Sequence, residues 1–299
     1  MRAPPQPMQP SPEPSTSAAR SAQPHSLACM EIWGGNERIE SGLSTPGLDA
    51  WVFSEPFEGE SEGGDVHYVS MCNSGNIARF VVADVSGHGA EVGEAARTLR
   101  GLVRRNMNTA DNTRFTRALN GAFQMESSGG RYATAVLATY FAPTDELLIV
   151  NAGHPRPLLY RAAAQRWELL TGDGAGASSS DTNLPLGIIE PTDFSQFAVK
   201  LQKGDLVFIY TDGLMEARDG SGNMLGERGM LQLAESLDVS KPGEIIGNLL
   251  RRLRDWQQGA SLNDDVTCIL LHHNASDPPA YSLRAQITAL ARVIGLIPV

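Results

Sequence analysis

The sequence predicts an α+β fold, antiparallel sheets layered with helices packed outside them. Three observations lead there. Strand-like runs come in turn-linked pairs, helical stripes also come in pairs, and the two kinds of pair do not alternate regularly. The order along the chain is strands, two helices, more strands, two helices and a last strand, which does not suit a parallel α/β fold.

Residues 1 to 28 carry seven of the eighteen prolines, five serines and almost no large apolar side chains. Such a stretch cannot bury enough surface to offset its chain entropy, so a disordered tail is expected. The folded region is expected over 29–273, with its first ordered residues near Met30. Val66 to Cys72 and Ile77 to Asp84 read as strands joined by the turn-rich Asn73-Ser74-Gly75-Asn76. From residue 89 to 106 the period changes. Val92, Ala95, Ala96, Leu99, Leu102 and Val103 share one helical stripe, and the arginines lie mostly off it as a solvated face. A second helix over 112–126 carries Phe115, Leu119 and Phe123 at four-residue spacing.

Strands return at Ala133 to Phe141, Leu147 to Asn151 and Pro157 to Arg161. Ala142-Pro143-Thr144-Asp145 turns the first into the second. A Gly/Ser-rich loop at 172–183 precedes Phe197 to Leu201 and Leu206 to Tyr210. The latter run is apolar throughout, as a strand covered on both faces would be. Helices are expected over about 228–237 and from Pro242, the second with a stripe of Ile245, Ile246, Leu249, Leu250, Leu253 and Trp256. Val266 to Leu271 closes the domain as a strand. Beyond Asp277-Pro278-Pro279, a segment within 274–299 places Leu283, Ile287, Leu290, Ile294 and Ile297 on one helical face. Docking on its own domain or on a second copy, as in a homodimer, would cover that face.

Composition narrows the function classes. A net charge of −10 disfavours nucleic acid and anionic membranes as partners. No run of eighteen apolar residues and no apolar core behind Arg2 are present. Neither an integral membrane segment nor a secretory signal is therefore expected, and a cytoplasmic location follows. Cys29, Cys72 and Cys268 are too few and too scattered for a disulfide framework or a zinc site.

Four aspartates stand where apolar runs meet glycines or turns: Asp65 after Gly63-Gly64, Asp84 before Val85-Ser86-Gly87-His88-Gly89, Asp212 before Gly213, and Asp264 before Asp265-Val266-Thr267. Any one alone would be an ordinary turn residue. If the strand ends lie side by side, the carboxylates converge at one rim and repel unless protonated or neutralised by cations. Two hard divalent ions about 3.5–4 Å apart would resolve that repulsion and suit phosphoester hydrolysis.

These segments, with Asn151-Ala152-Gly153-His154 and Leu184-Pro185-Leu186-Gly187, resemble in order and spacing the motifs of PPM-type metal-dependent serine/threonine phosphatases, in particular the bacterial SpoIIE/RsbU-like branch. The resemblance covers about residues 30 to 272. It implies two antiparallel sheets packed face to face and flanked by helices, with two Mn2+ or Mg2+ ions at one edge. It implies Asp84 as the ligand shared by both ions, Asp212 and Asp264 on one, and Asp65 with the Val85 carbonyl on the other. On this pattern Asp264 rather than Asp265 is the ligand, with Asp265 left as a helper beside it, and Asp84, Asp212 and Asp264 form the catalytic set. A water activated between the ions, not a side chain, would attack phosphorus, with no phosphoenzyme. The implied substrate is a phosphorylated protein, in this branch an anti-sigma-factor antagonist of the STAS type.

His88, four residues past Asp84, is a candidate general acid and equally a residue that shapes the turn. His154 reads as shaping its loop. Arg38 is too loosely placed to carry a phosphate-clamp role. Val66-His67-Tyr68 departs from the bulky aromatics and second acidic residue of many relatives, so a different rim is expected around Asp65. Two rival readings use the same residues: a catalytically inactive module that binds a phosphoprotein, and a small-molecule phosphoesterase.

Overall fold

The computed structural model describes residues 25–26, 32–72, 77–87, 90–109, 111–127, 130–172, 184–258 and 264–275. The expectations for most of the N-terminal tail, Cys29, the 73–76 turn, His88, the Gly/Ser-rich loop and the C-terminal helix lie outside these residues.

The strands are β1 (His25–Ser26), β2 (Ile32–Gly35), β3 (Ile39–Thr45), β4 (Leu48–Glu55), β5 (Asp65–Cys72), β6 (Ile77–Val85), β7 (Ala133–Phe141), β8 (Glu146–Ala152), β9 (Leu158–Arg161), β10 (Arg166–Leu169), β11 (Phe197–Lys200), β12 (Leu206–Tyr210) and β13 (Val266–His273). The helices are α1 (Ala90–Asn106), α2 (Asn112–Glu126), α3 (Asp212–Met215), α4 (Gly226–Glu235) and α5 (Ile245–Gln257). One sheet runs β1-β3-β4-β13-β12-β9-β10 and the other β11-β8-β7-β6-β5-β2. Every named pairing is antiparallel except that of β1 with β3. The α+β sandwich expected from the sequence is therefore present. Strands β2, β3, β4 and β10 and the one-turn helix α3 had no expected counterpart, and β1 falls inside the stretch read as tail.

Three apolar layers hold the sandwich. Between the sheets pack Val52, Val69, Phe80, Val82, Val136, Ile149, Val207 and Ile269. Outside the second sheet, the expected stripe of α1 and the Phe115, Leu119 and Phe123 of α2 cover Val66, Tyr68, Val81 and Ala83. Outside the first sheet, α4 and α5 cover Trp51, Phe53, Phe208, Tyr210 and Leu270. The all-apolar β12 is thus covered on both faces, and all five of its residues are buried.

Local signals set the helix limits. Asp111 caps α2, its carboxylate accepting from the amides of Thr113 (2.8 Å) and Arg114 (3.2 Å). Pro242 opens a 3-10 turn and α5 proper starts three residues later, at Ile245. It ends where Gln258 turns left-handed at φ 54.

Phe80 has no exposed surface and lies in the inter-sheet layer. Phe80→Ala should lower unfolding free energy by about 3–5 kcal/mol, as measured by urea denaturation of the metal-free protein.

Candidate metal centre

The centre is the polar end of the inter-sheet core. Residues on one face of a strand alternate, so Val69 on β5 and Phe80 and Val82 on β6 share their face with Asp65 and Asp84. In the second sheet Asp65 stands directly opposite Asp84, and Asp84 opposite Thr134. In the first sheet Thr267 stands opposite Ser54, and Thr211 follows β12 on the face of Val207 and Ile209. The two rows meet. The Thr211 hydroxyl donates to Asp65 Oδ2 at 2.8 Å and accepts from the Thr267 amide at 2.9 Å. The hydroxyls of Ser54 and Thr267 are 2.7 Å apart. Apolar layers between the sheets thus give way, at this end, to a layer of carboxylates and hydroxyls.

Asp212 and Asp264 join from loops. Asp212 opens α3 directly after Thr211, and Asp264 stands exposed two residues before β13. Their charges reach Asp84. The Asp84 carboxyl is pushed up to about 8, first by burial and then by Asp212, Asp264, Asp265 and Glu216. Burial, then the charges of Asp264 and Glu216, raise Asp212 to about 6. Asp264 is raised by partial desolvation and by the charges of Asp265 and Glu216, against a hydrogen bond from the Asp265 amide. Asp65, 3 % exposed, is raised well above the usual carboxylate range by burial and by Asp84 and Asp265. Among the described residues, no three His, Cys, Asp or Glu side chains converge tightly enough to enclose one ion. The four predicted aspartates sit at one end of the sandwich and sense one another's charge without forming such a cluster.

The donor set fits a hard cation. Every candidate ligand here offers oxygen, the type that Mg2+ and Mn2+ take. The raised proton affinities mark negative charge that a cation would neutralise. Val85 is held in place by its amide, which donates to the Gly64 carbonyl at 3.2 Å.

The neighbouring glycines are explained by crowding. A Cβ on Gly213 would stand 2.1 Å from the Asp265 carbonyl oxygen. One on Gly63 would stand 2.6 Å from the Asp265 carboxyl, and one on Gly64 2.7 Å from Val92 and 3.1 Å from the Val85 carbonyl. Only glycine lets these three segments approach so closely.

The remaining motifs brace the centre. Asn151 and His154 close their loop reciprocally: Asn151 Nδ2 donates to the His154 carbonyl at 2.9 Å, and the His154 amide to Asn151 Oδ1 at 2.8 Å. His154 Nδ1 lies 2.8 Å from the Thr134 hydroxyl, and burial pushes its imidazole down to about 3. It is a neutral brace, in keeping with a loop-shaping role. Gly153, at φ +69, packs against the Pro185 ring, and the Leu186 backbone pairs with Ala133. His67, in the departing segment after Asp65, is buried and lowered to about 4 by desolvation and then by Arg100. Arg38 is exposed and faces Glu55. Cys268 is buried, and desolvation raises its thiol far above its ordinary value, as expected of a small core residue.

A family model described as "Stage II sporulation protein E (SpoIIE)" matches residues 74–274, more than half of the chain. The chain belongs to the SpoIIE family. It is similar to the phosphoserine phosphatase RsbU of Bacillus subtilis, 28% identical over 254 residues that cover 81% of this chain and 69% of RsbU. Its structure is similar to the RsbU and RsbW domains of Rv1364c from Mycobacterium tuberculosis, with a TM-score of 0.66 and 25% identity over 86% of this chain and 72% of that one. It shares its fold with RsbX, solved in complex with magnesium, at a TM-score of 0.56 and 19% identity over 78% of this chain and 99% of that one.

Within this SpoIIE-family chain, several residues of the centre were missed in the sequence. Thr211 directly precedes Asp212 and Thr267 falls within the expected strand from Val266, and neither was read as a residue of the site. Ser54 lies on a strand with no alternating pattern. Asn36 holds Gly63 from both sides: its carbonyl accepts from the Gly63 amide at 2.8 Å and its Nδ2 donates to the Gly63 carbonyl at 3.2 Å. Glu216, one helical turn after Asp212, adds charge to three of the four aspartates. Its four-residue spacing from Asp212 is the one signal that could have found it.

The pH dependence of stability has a definite sign. In the folded chain the Asp84 carboxyl holds its proton up to about 8, whereas the unfolded chain releases it near 3.8. At this group the folded state therefore binds more protons between these values, and the stability it contributes falls as pH rises. Between about pH 4 and pH 8 the denaturation midpoint of metal-free wild type should fall relative to that of Asp84→Asn, a difference in which the opposite contributions of the buried His67 and His154 cancel. A wild-type midpoint that stays level with, or gains on, that of Asp84→Asn over this range would contradict the assignment.

Proposed function

We propose that this chain is a metal-dependent phosphatase acting on phosphoserine and phosphothreonine in proteins. The observation that carries the reading is the cross-strand register of Asp65 with Asp84, at the end of the core where Asp212 and Asp264 add their charge. Asp84 would be the ligand shared between two Mn2+ or Mg2+ ions, with Asp212 and Asp264 serving one, and Asp65 and the Val85 carbonyl the other. When bound, the ions supply charge neutralisation of the phosphoryl oxygens and activation of a water for direct attack.

The chain's own residues do the rest. Thr211 orients the Asp65 carboxylate through its hydroxyl. The close backbone approach at Gly63, Gly64 and Gly213 leaves the carboxylates unobstructed by side chains. Neither His154, which is neutral and bonded to Thr134, nor Cys268, whose buried thiol stays protonated, fits the part of nucleophile. That supports water as the attacking group.

RsbU is by name a phosphoserine phosphatase. The proposed substrate is a phosphorylated protein of the STAS anti-sigma-factor-antagonist type, met in the cytoplasm, and this part of the proposal follows the resemblance of the sequence motifs to the SpoIIE/RsbU-like branch. Among the described residues no helix is long and apolar enough to cross a membrane.

The test is phosphate release from a phosphoserine protein and from a small aryl phosphate, with Mn2+ and with EDTA. Wild type should release phosphate from the protein only with metal. Asp84→Asn should lower kcat/KM about 100-fold or more, a loss of roughly 3 kcal/mol of transition-state stabilisation. Equal, low rates for wild type and variant under all conditions would point to an inactive phosphoprotein-binding module. Turnover of the aryl phosphate alone would point to a small-molecule esterase.

A further inference from the structure

Asp265 stands beside a proposed ligand, yet its carboxylate is already engaged. Oδ1 accepts from the Phe57 amide at 2.7 Å and Oδ2 from the Gly64 amide at 2.5 Å, across 208 and 201 residues of sequence. Both are charge-assisted bonds to backbone, the short and strong kind. Gly64 is held from its other side as well, its carbonyl accepting from Val85. The carboxyl carbon of Asp265 lies 2.6 Å from where a Cβ on Gly63 would stand, and the Asp265 carbonyl oxygen 2.1 Å from one on Gly213. One residue therefore touches the segment before Asp65, the segment after Asp212 and, through the chain, Asp264.

We infer that Asp265 is a positioning residue and not a metal ligand: its carboxylate anchors Gly64, and thereby sets the Asp65 carboxylate in register with Asp84. The inference rests on the metal-dependent reading above and goes beyond it by giving the second aspartate of Asp264-Asp265 a separate task. A carboxylate bonded through both oxygens to the Phe57 and Gly64 amides is fixed between those segments and not free to turn toward an ion. An amide in its place keeps one acceptor and turns an NH2 group toward a backbone N–H, so one of the two bonds must open. The glycine contacts leave no room for the segment to follow.

Asp265→Asn and Gly63→Ala test this by independent routes. The second changes no carboxylate but drives a methyl group into the anchor. Mn2+ binding is measured by calorimetry on the metal-free full chain, alongside the denaturation midpoint, and hydrogen exchange of the Phe57 and Gly64 amides is followed in the wild type. Both variants should bind Mn2+ about 10- to 100-fold more weakly, with the wild-type number of ions. A residue that merely stabilises the fold would lower the denaturation midpoint and leave Mn2+ affinity alone. In metal-free wild type both amides should be protected from exchange.

Asp265→Asn binding one ion fewer would make Asp265 a ligand and overturn the inference. So would Mn2+ affinities within about twofold of wild type in both variants. Free exchange of the two amides would overturn the anchor even if neither variant folds. Wild type that takes up no Mn2+ at all would remove the metal reading itself, and the exchange result would still decide whether the anchor exists.

Discussion

Two carboxylates, Asp65 and Asp84, face each other across neighbouring strands inside a sandwich whose other layers are apolar. Burial of like charges without a counter-charge is costly, and proteins meet it by holding protons or cations there. Much else at this end of the molecule answers that constraint. The threonine hydroxyls of the facing sheet supply hydrogen bonds where Val207 and Ile209 supply methyl groups one and two layers deeper. The loops bring further acidic groups, so that the local charge exceeds what single protons neutralise.

Close approach is the second requirement. Gly63, Gly64 and Gly213 allow three chain segments to meet around Asp265 at distances that any side chain would prohibit. The surrounding motifs hold this arrangement from outside. The Asn151–His154 loop leans on Pro185 and, through Thr134, on the strand beside Asp84. The ion pairs of Arg97 with Glu62 and of Arg131 with Glu91 tie α1 to the loop before Gly63 and to the start of β7. The helix that follows Asp84 is in this way fixed to both flanks of the centre.

Much of this was legible in the chain. The stripes of α1, α2 and α5 and the apolar runs of β6, β7 and β12 carry strong patterns because each packs against a full layer. Strands β3 and β4 were not legible for the opposite reason. β3 is half exposed and interrupted by Gly42, and β4 is buried on both faces, so neither shows alternation. β10 and α3 are four residues each, too short for a period to appear. Asp65, Asp84 and Asp212 stood out because glycines lie near them at the ends of apolar runs, and Asp264 because it stands just before an apolar strand. Ser54 and Asn36 did not, and Asp265 stood out only as the neighbour of Asp264, because what they do depends on partners far away in sequence. The bond from Gly64 to Asp265 spans 201 residues and leaves no local trace.

The most direct test is the proton balance of Mn2+ binding, measured by calorimetry at pH 7 in buffers of different ionisation enthalpy. With the Asp84 carboxyl at about 8, the metal-free centre holds a proton that a cation must displace. The account predicts net proton release from the wild type on binding. Binding without proton release in the wild type would contradict it.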